Sequence, residues 1–160
     1  MKNTTLCYIK NNGKYLLMHR IKKENDLNRD KWIGIGGKFE DKESPEQCNR
    51  REVFEETGLR LNSAEYKGII TFVSDIWETE YMHLFTSSDF SGTVKSDCDE
   101  GVLEWVDEDK LLSFPTWSGD RIFLEKLDSD EFFSLRLEYR GETLISAIFN
   151  DKEILTGEEK

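Results

Sequence analysis

The 160-residue chain is 37% hydrophobic and 34% charged, and 33 acidic residues against 22 basic ones leave a net charge of −11. That balance suits one folded domain over 1–160 with a charge-rich surface, and it excludes the basic footprint that nucleic acid or an anionic membrane requires. A small anionic ligand remains open to such a chain when a bound cation bridges the two negative partners.

Cys7, Cys48 and Cys98 lie far apart, without zinc-ligand spacing or an even count, and read as reduced thiols of a cytoplasmic protein. The N-terminal Met-Lys-Asn-Thr-Thr leads directly into a strand pattern, so no signal peptide is expected. No apolar run approaches the length of a transmembrane helix.

In chain order, Thr4 to Ile9 and Tyr15 to Ile21 are strand-like, and the Asn12-Gly13 pair between them signals a hairpin. Ile21 to Lys31 is polar and loop-like. Three glycines, Gly34, Gly36 and Gly37, follow within four positions, where the backbone must bend or admit a close neighbour. A helix is predicted from Ser44, with Ser44 as N-cap, Pro45 at the first helical position and Gln47 completing a capping box. It should end near Thr57, with Gly58 as the stop. Glu65 to Asp75, Thr79 to Thr86 and Val102 to Val106 read as strands. Asp107 to Leu112 and Gly119 to Leu127 look helical, and Phe132 to Tyr139 with Thr143 to Phe149 form a last strand pair. The sum is a layered α+β or α/β domain.

Chemistry concentrates between Gly37 and Leu59. Glu52, Glu55 and Glu56 stand at i, i+3 and i+4, within an arc of about 100° on the predicted helix. Three carboxylates on one face repel unless neutralised. Arg51 can pair with one of them, and a hard cation such as Mg2+ would suit the rest. A solvated acidic face is the plain alternative in so acidic a chain. The glycine-rich loop before the helix and Glu43 near its start bring backbone and carboxylates to one place.

Gly37, five residues, Glu43, seven residues, then Arg51-Glu52-Val53-Phe54-Glu55-Glu56-Thr57-Gly58-Leu59 matches every defined position of the Nudix box. The chain therefore resembles the Nudix hydrolases. The resemblance implies an α+β Nudix fold, with a mixed β-sheet sandwiched between helices in α/β/α layers. It implies Mg2+, with Mn2+ as a substitute, held by Glu52, Glu55 and Glu56 together with the carbonyl of Gly36 or Gly37. It also implies attack of water at a phosphorus of a nucleoside diphosphate derivative. Glu52 is the first choice as general base, with the other glutamates open. Arg51 is expected to orient Glu43 and a helix carboxylate, while Val53 and Leu59 belong to the core. From a distant loop, Glu100 is expected to reach the metal, with Asp97 or Asp99 as substitutes.

The likeness extends to Lys31 through Lys38, Ile70 to Phe72, Asp97 to Trp105, and Pro115 to Asp120, which resemble MutT-like nucleotide-pool sanitising enzymes. It implies 8-oxo-dGTP as a candidate substrate, released as monophosphate and pyrophosphate, and a role in DNA repair. Ile33 stands where the mammalian oxidised-purine triphosphatase has a purine-binding asparagine, and Gly119-Asp120 where it has two aspartates. Trp117 is either a base-stacking residue or a core aromatic, Phe72 either a pocket wall or core, and Asp120 an acceptor for a purine N–H. Lys23 and Lys38 are candidates for phosphate contact. ADP-ribose, nucleotide sugars and dinucleoside polyphosphates are the alternative substrates. A non-catalytic ligand sensor is disfavoured because the box keeps all its glutamates.

Overall fold

The computed structural model describes residues 1–96 and 98–155. Among the described residues nine strands form one mixed sheet: β1 (Lys2–Asn11), β2 (Lys14–His19), β3 (Trp32–Ile33), β4 (Arg60–Ser74), β5 (Glu80–Ser91), β6 (Val102–Asp107), β7 (Phe133–Arg140), β8 (Thr143–Phe149) and β9 (Lys152–Leu155). Their spatial order is β3-β2-β1-β5-β4-β7-β8-β9, and β6 also pairs with β2. The β1–β5 and β4–β7 pairs are parallel and the rest antiparallel. Helix α1 spans Pro45–Thr57, a 3-10 helix Glu108–Ser113, and the short α2 Asp120–Leu124.

Alternation along β1 and β2 divides the core between two faces. Leu6, Tyr8, Tyr15 and Leu17 pack with Leu111, Phe123 and Leu124 from the 3-10 helix and α2. Cys7, Ile9, Leu16 and Met18 pack on the other face with Val53 of α1. Both sets are buried because successive strand side chains point to opposite sides, each covered by helix. The expected helix–sheet–helix layering is thus present. All three cysteines are free and buried. No helix among the described residues is long and apolar enough to cross a membrane.

Several boundaries differ from expectation. Strand pairing extends β4 and β5 well beyond their apolar cores, as far as Arg60 and Ser91. The expected helix from Gly119 to Leu127 shrinks to five residues. β3, only two residues long, and β9, four residues of which two are charged, are too short to show in the sequence.

The site is made possible by a gap between β1 and β2. These strands pair only from Ile9 to Asn11 against Lys14 to Leu16. Beyond that point the glycine-rich segment wedges between them. Ile33 pairs with Met18 on one side, while Ile35 and Lys38 bridge to Cys7 and Thr4 on the other. Thr5 N–H donates to the Gly37 carbonyl at 2.9 Å. A Cβ on Gly36 would overlap the Thr5 carbonyl, so only glycine permits this approach.

Candidate active site

Helix α1 begins as its sequence dictates. Ser44 Oγ accepts from Gln47 N–H at 3.1 Å, and Gln47 Oε1 accepts from Ser44 N–H at 2.9 Å. Gly58 ends the helix in the left-handed region at φ 82°, its N–H bonded to the Phe54 carbonyl. These caps fix where the helix starts and stops; its packing on the sheet through Val53 buries Glu56 and sets Glu52 against Gly37 of the glycine loop. Glu55 stays exposed.

Arg51 organises the carboxylates. Its Nε donates to Glu43 Oε2 at 2.6 Å and its Nη2 to Glu43 Oε1 at 2.9 Å, a two-pronged grip. Its Nη1 reaches Glu52 Oε2 at 2.9 Å and Glu55 Oε1 at 3.1 Å, and Nη2 also meets the Lys38 carbonyl. Hydrogen bonding to Arg51 lowers the Glu43 carboxyl to about 2. Glu43 in turn raises the guanidinium of Arg51 far above its ordinary range.

Glu56 is the odd member. It is 7% exposed, and neither oxygen has a hydrogen-bond partner among the described residues. Burial, then the charge of Glu100, then the Glu52 carboxylate, which favours a proton on Glu56 that the two acids can share, push its carboxyl up to about 10. Among the described residues, no three acidic, histidine or cysteine side chains already form a closed metal cage; Arg51 holds the Glu52 and Glu55 carboxylates. The donor set nevertheless fits a hard divalent cation. A buried carboxylate without a partner, facing two more acids, is stabilised by positive charge brought to it. The ideal Cβ position of Gly37 overlaps the Glu52 carboxylate, so this glycine gives that acid its room.

Glu100 accepts from Arg20 Nη2 and Lys23 Nζ, each at 3.4 Å. Asp99 is exposed, and Asp97 lies outside the described residues. Arg20 also donates through Nε to Asp26 Oδ2 at 2.9 Å, tying the 21–31 loop to the acidic cluster.

A cavity of about 500 Å³ opens beside Glu52 and Glu100. Gly36, Gly37 and Lys38 line it at the glycine loop, and Ile33, Phe72, Trp117 and Asp120 also line it. Lys23 does not line it; this exposed lysine stands outside, paired with Glu100. Trp117 is 5% exposed and packs edge-on against Phe72 and Tyr139, with Lys31 Nζ 4.5 Å from its ring centroid. It is therefore both a core aromatic and a cavity wall. Burial raises the Asp120 carboxyl to about 7, although the Thr116 hydroxyl, 2.5 Å from Oδ2, and Lys31 hold it lower than burial alone would.

Arg20, Asp26, Asn28, Trp77 and Met82 also line the cavity, and none was anticipated. They come from a polar loop and from strand ends with no motif. The polar composition between Arg20 and Lys31 is the one signal for the first three, and nothing in the sequence marks Trp77 or Met82.

A family model for the NUDIX domain matches residues 2–127. The oxidized purine nucleoside triphosphate hydrolase of Danio rerio is 31% identical over 125 residues, covering 77% of this chain and 79% of its own. The uncharacterized Nudix hydrolase YvcI of Bacillus subtilis (strain 168) is 30% identical over 129 residues, covering 78% of each. The crystal structure of the mutator MutT protein from Bacillus halodurans superposes with a TM-score of 0.84 at 26% identity, covering 94% of this chain and 98% of that one. A MutT Nudix hydrolase from Burkholderia pseudomallei gives a TM-score of 0.69 at 25% identity, covering 79% of this chain and 97% of the other. With its box complete and the family match running through most of its length, the chain belongs to the Nudix hydrolases, as a MutT-like enzyme of that family.

Proposed function

We propose that the chain is a magnesium-dependent nucleoside triphosphate pyrophosphohydrolase, which releases a nucleoside monophosphate and pyrophosphate and acts on oxidised purine nucleotides such as 8-oxo-dGTP. Nudix hydrolases act on small nucleotide substrates and generally use a divalent metal. The observation that carries the reading is the buried, unpartnered Glu56 beside Glu52 and Glu100, next to a cavity large enough for a nucleotide. The oxidised-purine preference draws its support from the named Danio rerio relative.

In this reading Glu52, Glu55, Glu56 and Glu100 would hold the metal, with the carbonyl of Gly36 or Gly37. Gly37 already accepts the Thr5 N–H, which favours Gly36. When bound, such an ion would neutralise phosphate charge and lower the pKa of the attacking water. Glu52 takes the proton of the water as its oxygen bonds to phosphorus and the bridging P–O bond breaks. Arg51 fixes the direction in which Glu52 points and keeps Glu43 ionised against the loop. Lys38 meets phosphate oxygens at the glycine end, and Lys23 approaches the same acidic end from outside. Phe72, Ile33 and Trp117 enclose the base, with Asp120 accepting from its N–H. The chain would serve in the cytoplasm as a sanitiser of the nucleotide pool.

The test is a turnover screen with and without Mg2+ over ordinary and oxidised nucleoside triphosphates, ADP-ribose and diadenosine polyphosphates, with products identified. Monophosphate plus pyrophosphate from 8-oxo-dGTP at the highest kcat/KM supports the proposal. A preference for ADP-ribose or a dinucleoside polyphosphate overturns it while leaving the family intact.

A further inference from the structure

Two asparagines that no motif assigns, Asn25 and Asn28, line the cavity; Asn25 is exposed, and Asn28 is the one held by the fold. Asn28 lies on the 21–31 loop, half-buried, and lines the cavity with Trp117 and Asp120. Its Oδ1 accepts from Trp117 Nε1–H at 2.9 Å. An indole nitrogen only donates, so the amide must turn its oxygen to Trp117 and its Nδ2 away from it. Nδ2 has no hydrogen-bond partner among the described residues.

The loop is built to hold this orientation. Asn28 N–H donates to Asp26 Oδ1 at 3.0 Å, and the Asn28 carbonyl accepts from Lys31 N–H at 2.9 Å. Asp26 is held in turn by Arg20. Backbone and side chain are thus pinned at three points, and what remains free is a pair of N–H donors. Asp120 lines the same cavity, three residues beyond that tryptophan, its own N–H donating to the Trp117 carbonyl.

We propose that Asn28 is a specificity-determining residue whose Nδ2 reads a carbonyl oxygen of the base while Asp120 accepts from the neighbouring ring N–H. This rests on the nucleotide reading above and deepens it to a class of base. A donor beside an acceptor matches an edge with a carbonyl next to a ring N–H, as in guanine, hypoxanthine and uracil. Adenine and cytosine place an exocyclic amine against the Asn28 amide, donor facing donor. A site that reads by hydrogen bonds rejects such a mismatch strongly, because its own polar groups are left unpaired.

The test is calorimetric binding of GMP and of AMP to the full chain, which needs no turnover. Wild type should bind GMP at least about tenfold more tightly than AMP. Asn28→Asp keeps an oxygen for Trp117 and replaces the donors with an acceptor, so it should erase or invert that ratio without lowering the thermal midpoint by more than a few degrees. Asn28→Ala should weaken GMP without strengthening AMP. An unchanged ratio in Asn28→Asp overturns the proposal, as does a wild type that binds neither or binds both equally. If no triphosphate is hydrolysed yet Asn28→Asp inverts the ratio, the triphosphatase reading fails and the role of Asn28 stands.

Discussion

Arg51 and Glu43, eight residues apart, meet through two hydrogen bonds at 2.6 and 2.9 Å, joining the loop before the helix to the helix itself. The same guanidinium reaches Glu52 and Glu55, so one side chain sets both the loop and the acidic face of the helix.

Arg51→Lys should therefore damage activity more than stability. An ammonium cannot grip Glu43 with two prongs while reaching Glu52. kcat should fall roughly 10- to 100-fold, in line with the loss of a positioning contact, with KM changing less. Glu43→Gln should cost about 1–3 kcal/mol of stability, as for a lost charged hydrogen bond. The Glu43 carboxyl is depressed to about 2, so its contribution is present above the ordinary value of 4.5 and is lost as pH falls toward 2. Urea unfolding at pH 7 and pH 2.5 should show a difference between wild type and Glu43→Gln at the first pH that narrows at the second.

Glu56→Gln is expected to separate stability from function. The Glu56 carboxyl is raised from 4.5 to about 10, so folding favours its protonated form. That favour is complete below pH 4.5 and is lost as pH rises toward 10. Without metal, the variant should melt at a higher temperature than wild type at pH 8, and the two should converge near pH 5. Turnover should drop by at least about 100-fold. Added Mg2+ should raise the melting temperature of wild type more than that of the variant. A variant less stable at pH 8 would contradict the assignment of Glu56 as a strained acid awaiting a cation.

Two neighbouring glycines should respond differently to alanine. At Gly36 the new methyl meets the Thr5 backbone, which cannot move without breaking the β1 bridges, so a loss of about 3 kcal/mol or more is expected. At Gly37 it meets the end of the Glu52 side chain, which can swing away. Gly37→Ala should keep most of its melting temperature and lose kcat. Thermal melts and steady-state kinetics on the two variants check this.

Asp120→Asn should flatten part of the pH dependence of stability. Burial raises the acid to about 7, so its protonated form is favoured in the fold, and stability drains as pH climbs from 4 through 7. The asparagine variant should lose less stability over that window. It should also bind nucleotide more weakly, since an amide offers less acceptor strength than a carboxylate.

The local parts of the site were legible in the sequence. Ser44, Pro45, Gln47 and Gly58 define α1 by capping chemistry that depends on neighbours a few residues away. The paired faces of β1 and β2 follow from alternation in the same way. What could not be read was long-range. Arg20, Asp26 and Asn28 enter the cavity because Asp26 is pinned by Arg20, Arg20 by Glu100 and Asn28 by Trp117, partners up to 89 residues away. The burial of Glu56 rather than Glu55 depends on how α1 lies against the sheet, which the i, i+3, i+4 spacing leaves undetermined. The stray position of Lys23 has the same origin, since a surface lysine carries no directional signal.

The contact between Lys31 and the last hairpin has a consequence for how such an enzyme diversifies. Lys31 lies over Trp117 and pairs with Glu142 at 2.9 Å, while Asp75 accepts from Gly141 N–H. The tip of the β7–β8 hairpin lies beyond residues 2–127, yet through Lys31 it braces the Trp117 wall of the cavity. Exchanges at that tip should therefore reshape the cavity wall from a distance while leaving every residue of α1 in place.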